Sequence, residues 1–116
     1  MGFIEGLKKA ADALNADGWV NGHDFPPGTY LRFAEEDGEN AFRIMYPSGE
    51  KLIVTHDKVK YAAILCMGII GTRPNKYEGV TQILGTKIRF ELNDGKSGII
   101  TCSIGDNLNI VESVLF

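Results

Sequence analysis

The alternation of apolar and polar positions is clearest over residues 85–104. Three apolar residues of its first half occupy every second position: Ile88, Phe90 and Leu92. This period of two predicts a strand with one buried face. The dipeptide Asp94-Gly95, typical of tight hairpin turns, follows it, and residues 97–104 are rich in β-branched side chains. The stretch therefore predicts a β-hairpin, around which the rest of the chain is organised.

The register of this hairpin has two solutions. A two-residue turn would place Phe90 opposite Ile99. A three-residue loop, with Gly95 as a bulge, would place Phe90 opposite Gly98 and would turn three apolar residues of the second strand inward: Ile100, Cys102 and Ile104. A slip of one residue reverses every side chain, so only one register can be right. We prefer the second, because it separates these apolar residues from the polar ones between them.

The N-terminal segment has a helical rather than a strand period. Apolar residues recur at a helical spacing on one side: Ile4, Leu7, Ala11 and Leu14. Such spacing predicts an amphipathic helix over residues 1–18, with Gly18 as the residue that ends it. Residues 19–28 hold glycines and prolines and read as a connector, in which Trp19 is a core or hinge anchor.

Residues 29–116 form the predicted β-rich body. Short apolar runs separated by turn residues predict strands over Thr29–Ala34, Ala41–Tyr46, Lys51–Thr55, Val59–Ile70 and Val80–Leu84, ahead of the hairpin. The run 59–70 is the most apolar and predicts a strand buried on both faces for part of its length. A bulge is expected at Gly85. The tail 107–116 fits a short helix or a strand, and we favour the helix. The fold class is thus mainly β, a single domain with a small antiparallel barrel or sandwich of about seven strands.

Composition and charge narrow the function classes. The net charge is −3, and residues 1–50 hold 4 basic against 9 acidic residues, while residues 51–116 hold 8 against 6. This balance argues against a nucleic-acid partner, which usually meets a strongly basic face. Without an export signal or an apolar run of about 18 residues, the predicted location is cytoplasmic, with a membrane-peripheral position as the alternative. Cys66 and Cys102 are accordingly predicted to be reduced and buried.

Two stretches carry a resemblance to a known family. L-I-V-T-H-D-K-V-K-Y at Leu52–Tyr61 and G-T-K-I-R-F-E-L-N-D-G-K at Gly85–Lys96 resemble segments of bacterial pleckstrin-homology-like and GRAM-like domains. The likeness covers roughly residues 41–104, and the chain departs from the family pattern in its long N-terminal segment and its short or absent closing helix. The resemblance implies a binding or assembly module, since such domains are mostly not enzymes.

The loop 72–79 is the predicted binding site. Arg73, Lys76 and Tyr77 offer a guanidinium, an ammonium and an aromatic ring on a segment stiffened by a proline, which suits a phosphate or carboxylate group. Lys58 and Lys60, from an earlier turn, are expected to stand near this loop.

The two His-Asp dipeptides, at residues 23–24 and 56–57, are the candidates for an enzymatic or metal site. Adjacent residues of a strand point to opposite faces, so neither dipeptide is a dyad in itself. No enzyme motif accompanies them. We therefore expect no enzyme, no metal and no cofactor.

Three functions remain open. The favoured one is a non-enzymatic β-rich binding or assembly module that contacts a protein partner, including a copy of itself, or an anionic membrane surface. The second is a small barrel that binds a small ligand in an internal cavity, and the third is an enzyme with a dispersed His/Asp site.

Overall fold

A computed structural model describes residues 15–104 and 106–116 of the chain. The first 14 residues of the helix predicted over residues 1–18 lie outside them, and residues 15–18 are not helical. The described part contains seven strands and a C-terminal helix. The strands are β1 (Gly18–Asn21), β2 (Tyr30–Glu36), β3 (Glu39–Met45), β4 (Lys51–Val54), β5 (Val59–Pro74), β6 (Val80–Leu92) and β7 (Ser97–Ser103). A 3-10 turn (His56–Lys58) precedes β5, and helix α1 (Asp106–Leu115) follows β7.

The seven strands form one antiparallel sheet in the order β4-β3-β2-β1-β7-β6-β5. The sheet is curled into a half-barrel, so the mainly-β prediction with about seven strands is confirmed. Strands β4 and β5 form its two edges. We call the concave side the inner face and the convex side the outer face.

The core lies between the inner face and α1. Alternate residues of the strands point inward and are fully buried, among them Val20, Leu31, Ile44, Ile88 and Ile100. Helix α1 contacts β3, β5 and β7 and adds its own apolar side to the same cluster: Leu108, Val111, Val114 and Leu115. The short helix favoured for the tail is therefore confirmed.

The register of the β6–β7 hairpin is the one with the three-residue loop. Phe90 pairs with Gly98, and Gly95 has a φ of 93°. The Leu92 amide donates to the carbonyl of Lys96 at 2.8 Å, which closes the loop. Phe90 and Ile100 are both fully buried, as predicted. The predicted second strand, which ran to Ile104, ends one residue earlier at Ser103, and Ile104 is half-exposed rather than buried.

The chain before β2 differs from the predicted helix end and connector. Gly18 does not end a helix, and with Trp19 it belongs to β1, which pairs with β2 and β7. Val20 carries the inward position of β1, so the Trp19 ring lies outside, 47% exposed, in edge contact with Tyr30. The prediction of Trp19 as a core anchor is therefore wrong.

Strand β5 also differs from its prediction. The stretch 59–70 belongs to an edge strand, and most of its side chains are exposed on one face or the other. Cys66 is exposed as well, whereas Cys102 is buried as predicted. No bulge lies at Gly85, since β6 runs through it without a break. The three register shifts lie in β5, where the extra residues are Lys60, Leu65 and Ile70.

Candidate interaction surface on the projecting hairpin

Strands β5 and β6 extend beyond the rest of the sheet. Strand β7 ends at Ser103, opposite Gly85, and Gly85 pairs with Gly68 on its other side. Beyond this line, residues 69–74 and 80–84 continue the β5–β6 ladder as far as the pair Pro74 and Val80. At ~3.3 Å per residue, the six residues of β5 project about 20 Å from the body of the sheet. We call this part the projecting hairpin.

The inner face at the base of the projecting hairpin is apolar and uncovered by the described residues. Met67 pairs with the buried Thr86, and Ile69 pairs with Leu84, so these side chains share the inward direction of the core. Ile104 lies across from Leu84, whose carbonyl accepts its amide at 3.0 Å. We define the hairpin patch as five such side chains, each between 47% and 58% exposed: Ile64, Met67, Ile69, Leu84 and Ile104.

The hairpin patch lies beside the free edge of the sheet. In the described part of the chain, β5 has a neighbour only in β6, so its other side presents backbone N–H and C=O groups. Residues 61–72 of this edge carry no charged side chain, and the residues that discourage strand pairing stand near its ends, at Lys60 and Pro74. The bulge at Leu65 frees the Cys66 carbonyl, which accepts the buried Thr86 hydroxyl at 3.0 Å.

The tip of the hairpin is fixed by one asparagine side chain. The Asn75 amide oxygen accepts the backbone N–H groups of Tyr77 at 2.9 Å and of Gly79 at 3.1 Å. The Asn75 backbone N–H donates to the Gly79 carbonyl at 3.0 Å. Glu78 takes the positive φ of 60° that this turn requires. A turn with three bonds to one residue loses less conformational freedom on binding than an open loop.

The tip carries the three residues predicted for binding. Tyr77 is 79% exposed, and the Lys76 Nζ lies 5.2 Å from the centre of its ring, in a cation–π contact. Arg73 stands at the end of β5 and is exposed. Neither cation forms an ion pair with an acidic side chain of the described residues. The structure therefore brings together a guanidinium, an ammonium and an aromatic ring at one exposed end.

The expectation that Lys58 and Lys60 stand near this loop is wrong. Lys58 ends the 3-10 turn before β5 and Lys60 lies at the start of β5, whereas Arg73 lies near the other end of this 16-residue strand. The Lys58 ammonium donates to the Ile53 carbonyl at 3.0 Å, and Lys60 is 3.4 Å from Glu91. The five cations and aromatic residues predicted as one site therefore form two separate groups.

The two His-Asp dipeptides hold local structure. His56 Nδ1 lies 2.9 Å from the Val114 carbonyl of α1, and Asp57 accepts a bond from the Thr55 hydroxyl. Asp24 accepts the backbone N–H of Ser97 at 3.0 Å. Among residues 15–104 and 106–116, no group of three His, Cys, Asp or Glu side chains is placed to hold a metal ion.

The two thiols differ in environment. Burial raises the pKa of Cys102 to about 11, and the carboxylate of Glu112 acts in the same direction. The buried thiol therefore stays neutral and unreactive at neutral pH, because the thiolate is the nucleophile. Cys66 pairs with the exposed Lys87, on the outer face of the sheet, and is itself exposed and accessible to a thiol reagent.

Sequence reasoning missed the hairpin patch. Its signal was the uncharged run from 61 to 72, which was interpreted as a buried strand. A central, buried strand and an apolar edge strand that binds another chain have the same composition. Only the position of the strand in the sheet distinguishes them.

Comparisons with known proteins identify no relative of the chain. No protein-family model, no curated protein sequence and no solved structure matches the chain. The resemblance to pleckstrin-homology-like domains therefore stays a prediction. In the part of the chain that the structure describes, α1 is too short to cross a membrane.

Proposed function

We propose that the chain is a non-enzymatic assembly module that associates with a second copy of itself through the hairpin patch and the β5 edge. The observation that carries this proposal is the run of five half-exposed, large apolar side chains on the inner face beside a free sheet edge. Contiguous apolar surfaces of this kind typically mark interaction sites, because their burial removes apolar area from water.

The chemistry of β5 favours a copy of the same strand as the partner. Two β5 strands that run antiparallel would exchange backbone hydrogen bonds along residues 61–72, with no charge brought into the interface. Such a contact is isologous and closes at two copies, since the same surface serves both. The bulge at Leu65 bends the strand, so the pairing is expected on either side of it rather than across it.

The resemblance noted in the sequence is compatible with this function. Seven antiparallel strands followed by a closing helix are what a pleckstrin-homology-like domain would have, and such domains mostly bind or assemble rather than catalyse. The closing helix, which was expected to be short or absent, is present as the ten-residue α1. The proposed self-association does not require that the chain belong to this family, because it rests on the hairpin patch and the β5 edge.

The double variant Met67→Asp/Leu84→Asp tests self-association. Two carboxylates in the hairpin patch would need burial at the interface, so we expect the dimer to weaken by about 100-fold or more, about 2.7 kcal/mol. Sedimentation equilibrium measures the mass of the parent and variant chains at concentrations of roughly 5–500 µM, which bracket the dissociation constant of a weak dimer. The control, Lys87→Glu, makes the same change of two charge units on β6 at an exposed position of the outer face. A parent chain that stays monomeric throughout contradicts the proposal.

A second candidate function follows from the tip. Arg73, Lys76 and the exposed Tyr77 stand about 20 Å from the body of the sheet, where they can reach an anionic membrane surface first. Each cation near an anionic bilayer contributes about 1 kcal/mol, and an interfacial tyrosine adds apolar contact. This contact would leave the hairpin patch free.

The vesicle test compares two pairs of cations. Arg73→Ala/Lys76→Ala removes two charges from the tip, and Lys58→Ala/Lys60→Ala removes two from the other end of β5. We expect the tip variant to lose roughly 10–30-fold in binding to phosphatidylserine vesicles at low salt, and the control to lose little. Binding should fall as salt rises, because charges are screened over ~10 Å at 0.1 M. Equal binding by the two variants would contradict a membrane contact through the hairpin tip.

A further inference from the structure

The backbone groups on the free edge of β5 follow from the hydrogen bonds of the neighbouring strands. Along an antiparallel strand, successive residues bond alternately to one neighbour and to the other. The Leu84 carbonyl accepts the Ile104 N–H at 3.0 Å, so the even-numbered residues of β6 bond toward β7. Between residues 61 and 74, the β5 residues that pair with them therefore direct their own backbone groups to the free edge: Ala62, Ile64, Met67, Ile69, Thr72 and Pro74.

This edge is symmetric about Gly68. Antiparallel pairing of a strand with its own copy brings each residue opposite the one at the same distance on the other side of the two-fold axis. The edge-facing residues form three pairs at equal distances from Gly68: 62 with 74, 64 with 72, and 67 with 69. The two bulges, at residues 65–66 and 70–71, are placed symmetrically as well. With the axis at Gly68, edge-facing residues therefore meet edge-facing residues and each bulge meets a bulge.

Other registers lose this match. A shift of one residue would set edge-facing groups opposite groups that already bond to β6. An axis at Met67 would set Ile69 opposite the bulge at residues 65–66, and an axis at Ile69 would set Met67 opposite the bulge at residues 70–71. Of the axes in the run between the bulges, the one at Gly68 alone pairs both Met67 and Ile69.

The side chains around this axis suit a close pair. Directly opposite residues of antiparallel strands have Cβ atoms about 4.5–5.5 Å apart on the same face. Met67 would contact the partner's Ile69, and Ile69 the partner's Met67, so the two hairpin patches would join on the inner face. Both side chains are more than half exposed in the single chain, at 58% and 56%. On the outer face the axis passes Gly68, which has no side chain to hinder the approach of the strands.

We propose that two copies of the chain pair through β5 in this register, with the two-fold axis at Gly68 and Met67 opposite the partner's Ile69. The inference rests on the proposed self-association and adds the register that the association takes. The matched bulges also select the partner. A strand of regular spacing would meet the bulges at residues 65–66 and 70–71 out of step, whereas a second copy meets them in step.

Disulfide trapping tests the register. Ala63 and Arg73 are exposed on the outer face at equal distances from Gly68, so the proposed register places them opposite each other across the interface. They form a non-hydrogen-bonded pair, whose Cα atoms lie about 4.5 Å apart, within the range of a disulfide. Ala63→Cys and Arg73→Cys are made on separate chains that also carry Cys66→Ser. With oxidised glutathione, an equal mixture should form at least about 5-fold more covalent dimer than either variant alone, where the introduced thiols lie about 30 Å apart.

The matched control uses Thr81→Cys in place of Arg73→Cys. Thr81 pairs with Arg73 and is also exposed, but it lies one strand further from the edge, by about 4.8 Å. Its thiol is out of reach of the thiol introduced at residue 63, so this mixture should yield no more covalent dimer than the single variants. Far-UV circular dichroism verifies that every variant keeps the fold of the parent.

Three results would overturn the register. The first is a parent chain that dimerises in sedimentation while the Ala63→Cys and Arg73→Cys mixture traps no more dimer than its control, which leaves the self-association intact. The second needs no variant. In this register the two Cys66 thiols of a dimer lie more than about 10 Å apart, so a dimeric parent that oxidised glutathione links through Cys66 has a different axis. The third is a parent that stays monomeric at all concentrations, which overturns the self-association and the register together.

Discussion

Phe90→Ala should lower the free energy of unfolding by about 3–5 kcal/mol. Phe90 has no exposed surface, and its ring centre lies 5.7 Å from that of Phe25, which itself stacks on Tyr46. Removal of the ring would leave a cavity beside Phe25, and the pairing of β6 with both β5 and β7 limits how far the site can collapse. Urea unfolding followed by far-UV circular dichroism measures the loss.

The control for this prediction is Tyr77→Ala, which removes an aromatic ring from the exposed hairpin tip. We expect it to change the free energy of unfolding by less than about 0.5 kcal/mol. If the two variants unfold at the same urea concentration, the β6–β7 hairpin does not hold the core in the way that its burial indicates.

The β6–β7 hairpin could be predicted because its information is local. Alternation over residues 88–92 sets the buried face, and Asp94-Gly95 sets the turn. The choice of register then followed from keeping Ile100 and Cys102 on the side of Phe90. These signals all come from residues close together in the chain, and the observed β6–β7 pairs match the predicted register.

The position of β5 could not be predicted because it is not a local property. The run 61–72 is apolar enough for a central strand, and nothing within it says that β5 ends the sheet. The same limit explains the error about Lys60 and Arg73. The strand was predicted to end at residue 70, but β5 continues to Pro74. Lys60 and Arg73 therefore lie near opposite ends of the same strand.

Strand β1 was missed for a related reason. Its four residues, Gly-Trp-Val-Asn, are too few for an alternation, and glycine disfavours strands. The strand exists because β2 and β7 pair with it on both sides, which closes the gap between the two halves of the sheet. The exposure of Trp19 follows from this pairing, since Val20 takes the inward position. The outward position of Trp19, like the edge position of β5, thus depends on contacts distant in sequence.

Gly98→Ala should destabilise the fold by about 1–3 kcal/mol, although it adds a single methyl group. A Cβ at this position would lie 2.6 Å from the Phe25 ring and 3.0 Å from the Asn21 carbonyl oxygen. Gly98 therefore makes the room in which Phe25 reaches Phe90, its cross-strand partner. The control, Gly71→Ala, adds the same methyl to the projecting hairpin, where no atom lies within 4 Å. Thermal unfolding of the two variants should show a clear loss for the first and little change for the second. Equal melting temperatures would mean that the Phe25 ring can move aside, and would contradict a close-packed aromatic core at this turn.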